Sequence, residues 1–364
     1  MADCHIGGWR DDKLNALTID SFKKTMDYCI KEHVAFILIS GDLFDTALPN
    51  IDLIKEVANI LEKVRQRNIE VYVIPGSHDF SPSGKTMLDV LENSGLVVNV
   101  NKYDVDGNLL FFEDKTGVKI TGLLGKRSGL EKEDYKKLEK EHLENEKGFK
   151  IFMFHTALEE FKPKDMEKME GQSYVDLPKN FNYYAGGHVH YIFNTKKENY
   201  GTISYPGPLF PNNFKELEEL KHGGFYIVND SLEINYVPVK TKELLNFTIE
   251  GKNVNEINEE LYRLVENNEF KDKLILLRIK GELESGKISD VKVRSVIKLM
   301  EEKGAYSVLK HTEGLKLKEL EEIEIKGNVE DVEKEIVKKN LGRVEINLNE
   351  EELINGLLEV LNKN

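Results

Sequence analysis

Phe36-Ile37-Leu38-Ile39-Ser40-Gly41-Asp42-Leu43-Phe44-Asp45 carries an apolar run of strand length straight into a glycine and two carboxylates. Three further stretches repeat the layout. Val71-Tyr72-Val73-Ile74 leads to Gly76-Ser77-His78-Asp79, Ile151-Phe152-Met153-Phe154 ends on His155, and Tyr183-Tyr184-Ala185 leads to Gly187-His188-Val189-His190. Branched and aromatic side chains suit a pleated strand, and the glycines mark the turns that leave it. Several strands would therefore deliver Asp or His at their C-terminal ends, the edge at which open α/β sheets bind ligands.

Longer amphipathic stretches separate these runs. Residues 20–31 put Phe22, Met26, Cys29 and Ile30 on one helical face, and residues 51–65 do so with Ile54, Val57, Ala58, Leu61 and Val64. Residues 1–240 thus read as an α/β domain. After Pro238 the register changes. Residues 247–249, a helix carrying Ile257, Leu261 and Val265, residues 274–279, a helix carrying Val293, Val296, Ile297 and Met300, and residues 306–309 read as a β-α-β-α-β unit, a second domain over 241–315. The remainder, 316–364, holds two short amphipathic helices, one with Val329, Val332, Ile336 and Val337, the other with Leu353, Ile354, Leu357, Leu358 and Leu361. Such a tail has little core of its own, so its apolar faces need the body of the protein or a partner chain.

A chain of 364 residues suggests two or three units. At 40% hydrophobic and 32% charged it reads as soluble, without the roughly 18 consecutive apolar residues of a membrane span and without a signal-peptide layout, so a cytoplasmic location is expected. Cys4 and Cys29 are too few for a disulfide framework. The net charge of −14 argues against a broadly basic, DNA-coating surface, so any nucleic acid would be met by local patches, bound metal or a partner.

With Asp3-Cys4-His5 as a fifth cluster, the candidate ligands are Asp3, His5, Asp42, His155, His188 and His190. Carboxylate plus imidazole suits Mn, Fe or Zn better than the all-oxygen shells preferred by Ca or Mg. Such a set is enough for two ions sharing one carboxylate, and a pair ~4 Å apart can clamp a phosphodiester and activate water. His78 remains as a donor to the phosphoryl or leaving oxygen. A lone Gly-Asp is usually a turn and a lone histidine usually surface or core; the conjunction at strand ends is what points to a site. Trp9, Arg10, Lys85, Lys126 and Arg127 are candidate DNA-phosphate contacts around this edge. Gly84-Lys85-Thr86 imitates the end of a P-loop, but Asp79 occupies the place of its first glycine.

Asp-x-His, Gly-Asp-x-x-Asp, Gly-x-His-Asp, a lone His after a strand and Gly-His-x-His, in that order, resemble the calcineurin-like metallophosphoesterases, whose fold is a β-sandwich flanked by helices. Within that superfamily, Met-Ala-Asp-Cys-His-Ile-Gly, Gly-Asp-Leu-Phe-Asp, a small α/β cap domain and a helical tail are similar to the SbcD-type DNA double-strand-break repair nucleases. The resemblance implies that Asp3, His5 and His190 hold one metal and His155 and His188 the other, with Asp42 bridging and His78 as the transition-state histidine. It also implies two Mn2+ per chain, with Mg2+, Fe or Zn as alternatives, exonuclease action on duplex ends and endonuclease action on single strands. The expected partners are a second copy of the chain and an SbcC-type, SMC-like ATPase coiled coil docked on the tail. The mixed faces of the 51–65 helix, with Met87, Leu88 and Leu91 nearby, offer a surface for the homodimer.

The sequence departs from that pattern in three places. Ser77 stands where the family's second-metal ligand is Asn, Asp45 stands where many SbcD-type nucleases have His, and Met1 and Ala2 alone precede Asp3, which makes the first strand look truncated and puts the natural start a few residues upstream. Two other readings share these motifs: a phosphoesterase for small nucleotides or phosphomonoesters, and a metal-bearing scaffold that tethers DNA with little catalysis.

Overall fold

The computed structural model describes residues 1–81 and 86–318. In chain order, α1 (Asp12–Lys31), β1 (Phe36–Ser40), α2 (Ile51–Arg65), β2 (Glu70–Ile74), α3 (Met87–Asn93) and β3 (Val98–Asn99) build a parallel sheet of order β1-β2-β3 with its helices. Next come β4 (Phe112–Glu113), β5 (Lys119–Leu123), α4 (Lys132–Lys137), α5 (Glu141–Asn145), β6 (Lys150–His155), β7 (Tyr183–Gly187), β8 (Ile192–Lys197) and β9 (Gly201–Pro206). Their strands form a six-stranded sheet of order β4-β5-β6-β7-β9-β8. Helix α6 (Phe214–Leu220) and the hairpin β10 (Gly223–Val228) and β11 (Ile234–Val239) follow. The chain then forms β12 (Leu244–Glu250), α7 (Val254–Asn267), β13 (Leu274–Leu283), α8 (Val293–Glu302) and β14 (Ser307–Leu317), a parallel three-stranded sheet with two helices.

Alternation along the strands explains why the two large sheets stack. In β1, Ile37 and Ile39 join the helix-covered core with Phe22, Val57 and Leu61, while Phe36 and Leu38 face the inner layer. In β6, Phe152 and Phe154 pack with Tyr135 and Leu143, while Ile151 and Met153 meet Tyr72 and Ile74 of the other sheet. Strands whose both faces are buried carry continuous apolar runs, as residues 151–154 do. The fold is the α/β sandwich expected.

Two boundaries differ from the sequence reading. Helix α1 begins at Asp12, well before residue 20, where the Asp11 carboxylate accepts from Leu14 N at 2.9 Å as the N-cap. The intervening turns hid their helical period because Thr18, Ser21 and Thr25 are buried; Ser21 and Thr25 return their hydroxyls to backbone carbonyls one turn back, and Thr18 donates to Asn15 O. Strand β14 continues past residue 309 to Leu317, so residues 316 and 317 are strand, and Lys318 N donates to Leu283 O. The expected tail helices and Lys85 lie outside the described residues.

The C-terminal sheet has its own core, with Ile249, Leu261, Ile275, Leu277 and Met300 all buried. It meets the sandwich along an apolar seam of Leu14, Leu17, Phe210, Leu217, Leu274 and Leu276.

Candidate metal centre

The first residues lie beside β1. Ser40 N donates to Met1 O at 2.9 Å and Asp3 N to Gly41 O at 3.1 Å, which brings Asp3 and His5 level with the β1 end. Asp3, His5, Asp42 and His188 all take positive φ, at 51°, 41°, 52° and 88°. Non-glycine residues rarely adopt that region, and such strain persists where surrounding structure over-determines it. Glycines make room for the cluster. A Cβ on Gly41 would lie 2.1 Å from His155 Nδ1, and one on Gly76 would lie 2.2 Å from Asp42 Oδ1.

Three imidazoles are fixed in the same sense. Nδ1 of His155 donates to Ser40 O at 2.8 Å, that of His5 faces Asp45 Oδ1 at 3.1 Å, and that of His190 faces Glu216 Oε1 at 2.9 Å. An acceptor on Nδ1 holds the proton there and leaves Nε2 with its lone pair pointing inwards. The Nε2 atoms converge on carboxylates. His155 Nε2 is 3.1 Å and His5 Nε2 3.7 Å from Asp42 Oδ2, His190 Nε2 is 3.9 Å from Asp3 Oδ1, and His5 and His190 Nε2 are 3.1 Å apart. Asp3 Oδ2 and His155 Nε2 are buried without a partner of hydrogen-bond geometry. A carboxylate oxygen and an imidazole nitrogen left unpaired in one buried cluster fit a divalent cation of nitrogen and oxygen preference.

Three overlapping donor sets satisfy metal spacing among the described residues: Asp3, His5 and His190; His5, Asp42 and His78; and Asp3, Asp42 and His155. Asp3, His5 and Asp42 each belong to two of them, and Asp42 is the carboxylate that faces both His5 and His155. His188 joins none of the three, but its N–H donates to Asp3 Oδ1 at 2.9 Å and its ring lies edge-on to His155 at 5.2 Å. Ser77 is buried, and its hydroxyl donates to Asp42 Oδ2 at 3.3 Å.

The electrostatics follow from this packing. Burial alone would push Asp42 up, but the imidazoles of His155 and His5 and the His78 N–H, 2.7 Å from Oδ1, hold it well below the usual carboxylate range. Asp3, with desolvation dominant, is pushed up. Burial works against the charge on His155, yet Asp42 outweighs it and raises the ring to about 10, whereas desolvation and the neighbouring His155 depress His188 to about 3. Asp79 accepts from the N–H groups of Leu43, Phe44 and Gly76, which clamps the two motif loops together.

Two contributors escaped the sequence reading. Asp45, there noted only for standing where many SbcD-type nucleases have His, holds both His5 and His78. Its carbonyl accepts from His78 Nδ1 at 2.8 Å, and its carboxylate lies 3.4 Å from the same atom. Glu216 had no signal at all within an acidic stretch of helix. Of the proposed phosphate contacts, Trp9 donates Nε1 to Pro211 O at 3.0 Å and packs into the seam, Arg10 is exposed, Lys126 pairs with Asp134 at 2.6 Å, and Arg127 reaches Ser77 O at 3.4 Å.

Residues 1–191 match the family model for the calcineurin-like phosphoesterases. The chain is 30% identical over 275 residues to the DNA double-strand break repair protein Mre11 of Methanococcus maripaludis, covering 70% of this chain and 69% of that protein. It is likewise 30% identical to Mre11 of Thermoplasma acidophilum, over 78% of this chain and 76% of the other, and 25% identical to that of Archaeoglobus fulgidus, over 90% and 76%. The strand-end donor set and these matches agree, and the chain belongs to the calcineurin-like phosphoesterases, metal-dependent hydrolases, on the branch that holds the archaeal Mre11 proteins.

Proposed function

We propose that this protein is a dinuclear-metal nuclease that cuts DNA in double-strand-break repair. The observation that carries the reading is Asp42, a buried carboxylate that faces the imidazoles of His155 and His5, with the His78 N–H donating to it and the His78 side chain still 40% exposed. Asp3, His5 and His190 would hold one ion, His155 and His188 the other, with Ser77 beside it and Asp42 shared. Bound metal, with manganese favoured by the family resemblance, would supply Lewis acidity towards a phosphodiester and a nucleophilic water.

The chain's own groups do the rest. The backbone carbonyl of Asp45 takes the Nδ1 proton of His78, so Nε2 is the nitrogen free to meet substrate. Its pKa is pushed up to about 9, first by the Asp45 carboxylate, so His78 reaches neutral pH charged and able to donate to a phosphoryl or leaving oxygen. The names of the relatives support DNA as the substrate. Exonuclease action on duplex ends and endonuclease action on single strands rest on the family resemblance.

Assembly belongs to the same reading. The exposed Leu48, Ile51 and Val90 support a homodimer through α2 and α3, and the apolar positions beyond residue 325 support docking of the tail on an SMC-like ATPase coiled coil. No helix among the described residues is long and apolar enough to cross a membrane. Release of nucleotides from a linear duplex, measured with and without Mn2+ and beside hydrolysis of a chromogenic phosphodiester, tests the proposal. Hydrolysis of the chromogenic ester with an intact duplex would make this a small-substrate phosphoesterase. Binding of duplex without either hydrolysis would make it a tether.

A further inference from the structure

Glu216 is held at both carboxylate oxygens. Oε1 faces His190 Nδ1 at 2.9 Å and also takes the Asn213 side-chain amide, while Oε2 accepts from Asn212 N at 2.7 Å. A carboxylate pinned in this way fixes the plane of the ring beyond it and directs Nε2 of His190 towards Asp3. The loop that carries it is itself tied to the strand-end edge. Leu209 N donates to Asp3 O at 3.2 Å and Trp9 Nε1 to Pro211 O at 3.0 Å.

Two residues further along α6 the chain does the opposite thing. Successive helical residues turn by about 100°, so positions 216 and 218 face away from each other. Glu218 leaves the metal edge and receives Arg278 of β13 in a bidentate pair, with Nε at 2.9 Å from Oε1. The same guanidinium lies 3.1 Å from His311 Nδ1 of β14 and 5.1 Å from the Phe214 ring of α6. Leu217, between the two glutamates, is buried in the seam. One short helix therefore grips a candidate metal ligand with one side and the C-terminal sheet with the other.

We propose that Glu216 is the positioning residue for His190, and that α6 ties its placement to the C-terminal sheet through the Glu218–Arg278 pair. The inference rests on the reading of the cluster as a metal site.

The test is calorimetric titration of Mn2+ into the full, metal-free chain, with melting temperature as a control on folding. Glu216→Ala should weaken one of the two ions roughly 10- to 100-fold, the usual effect of removing a carboxylate that orients a ligating imidazole, and leave the other near its wild-type value. Glu216→Gln keeps an acceptor oxygen and the Asn213 cap of α6, so it should lose less and serves as the readout if the alanine variant does not fold. Arg278→Met, remote from every proposed ligand, should weaken the same ion severalfold. Wild-type affinity in both Glu216 variants would overturn the positioning role and leave Glu216 a helix-end residue. Loss in those variants with an unchanged Arg278→Met would overturn the tie to the sheet. A wild-type chain that binds no Mn2+ at all would instead refute the metal reading itself.

Discussion

His5 Nε2 and His190 Nε2 face each other at 3.1 Å, each with its Nδ1 committed to a carboxylate. Two lone pairs at that distance repel unless a proton or a cation lies between them. His190 is pushed up despite its burial, by Glu216 and Asp3, and His155 to about 10, so the metal-free cluster holds protons at neutral pH. Metal must displace them. We expect Mn2+ binding at pH 7 to release protons, with a calorimetric heat that varies with the ionisation enthalpy of the buffer and an affinity that falls as pH is lowered. A heat identical in phosphate-free buffers of low and high ionisation enthalpy would count against this.

Asp42 and His78 should separate metal binding from chemistry. Asp42→Ala removes the carboxylate that faces the Nε2 atoms of both His155 and His5, and the variant should hold no tightly bound Mn2+ and show no hydrolysis. His78 belongs to one candidate donor set but is the member that stays half-exposed. His78→Ala should keep both ions and lose about two or more orders of magnitude in kcat, the size of one positioned donor. Loss of an ion in that variant, measured by elemental analysis after desalting, would turn His78 into a ligand.

The pairing of Asp45 with His78 carries a pH signature in the metal-free protein. A histidine raised to about 9 by its partner contributes stability that is complete below the ordinary value of ~6.5 and is lost as pH rises through about 9. Asp45 itself lies well below the usual carboxylate range and stays charged throughout that window. Asp45→Asn should bring the His78 titration seen by NMR down towards ~6.5. Its loss of melting temperature relative to wild type should be larger at pH 6 than at pH 10. A wild-type His78 already titrating at the ordinary value would dismiss the pair.

Much of the site was legible because its geometry follows from strand ends. His155 ends a strand and Asp42, His78, His188 and His190 each follow one closely, and a parallel sheet gathers its C-terminal ends on one edge whatever the loops between them do. The roles of Asp45 and Glu216 were not legible. Asp45 acts through the fold of a single turn, in which its carbonyl and carboxylate serve the same imidazole, and Glu216 reaches His190 from a helix 26 residues downstream. Nothing in residue type marks either, since acidic side chains are abundant and almost all face water. Helix α1 was half-read for a related reason, because the buried Thr18, Ser21 and Thr25 look polar in sequence while satisfying themselves on their own backbone.

Ser77 gives a prediction of gain. Its hydroxyl spends its proton on Asp42 Oδ2, so only oxygen lone pairs remain for an ion beside His155. An amide carbonyl is the stronger donor and reaches further. Ser77→Asn should lower the Mn2+ concentration needed for half-maximal activity and tighten the second binding event in calorimetry. An unchanged or weaker Mn2+ requirement would show that the serine leaves no gap in the shell.

The proposed homodimer can be tested at three exposed apolar side chains. Met87 N donates to Ala47 O at 3.1 Å, which sets the start of α3 beside the loop that carries Leu48 and leads into α2. Leu48, Ile51 and Val90 are 65%, 77% and 46% exposed, while Leu88 and Leu91 on the same helix are spent on the core. A fully buried side chain of this kind contributes roughly 1.5 to 3 kcal/mol, so three on each protomer of a two-fold interface are enough to matter. Ile51→Asp with Val90→Lys is designed to leave the fold intact, since Asp is favourable in the first turn of a helix and Lys towards its last. Light scattering at micromolar concentration should give a dimer for the wild type and a monomer for the double variant, with melting of the isolated protomer little changed. A wild-type monomer would remove the proposal, and a double variant that remains dimeric would move the interface to another face.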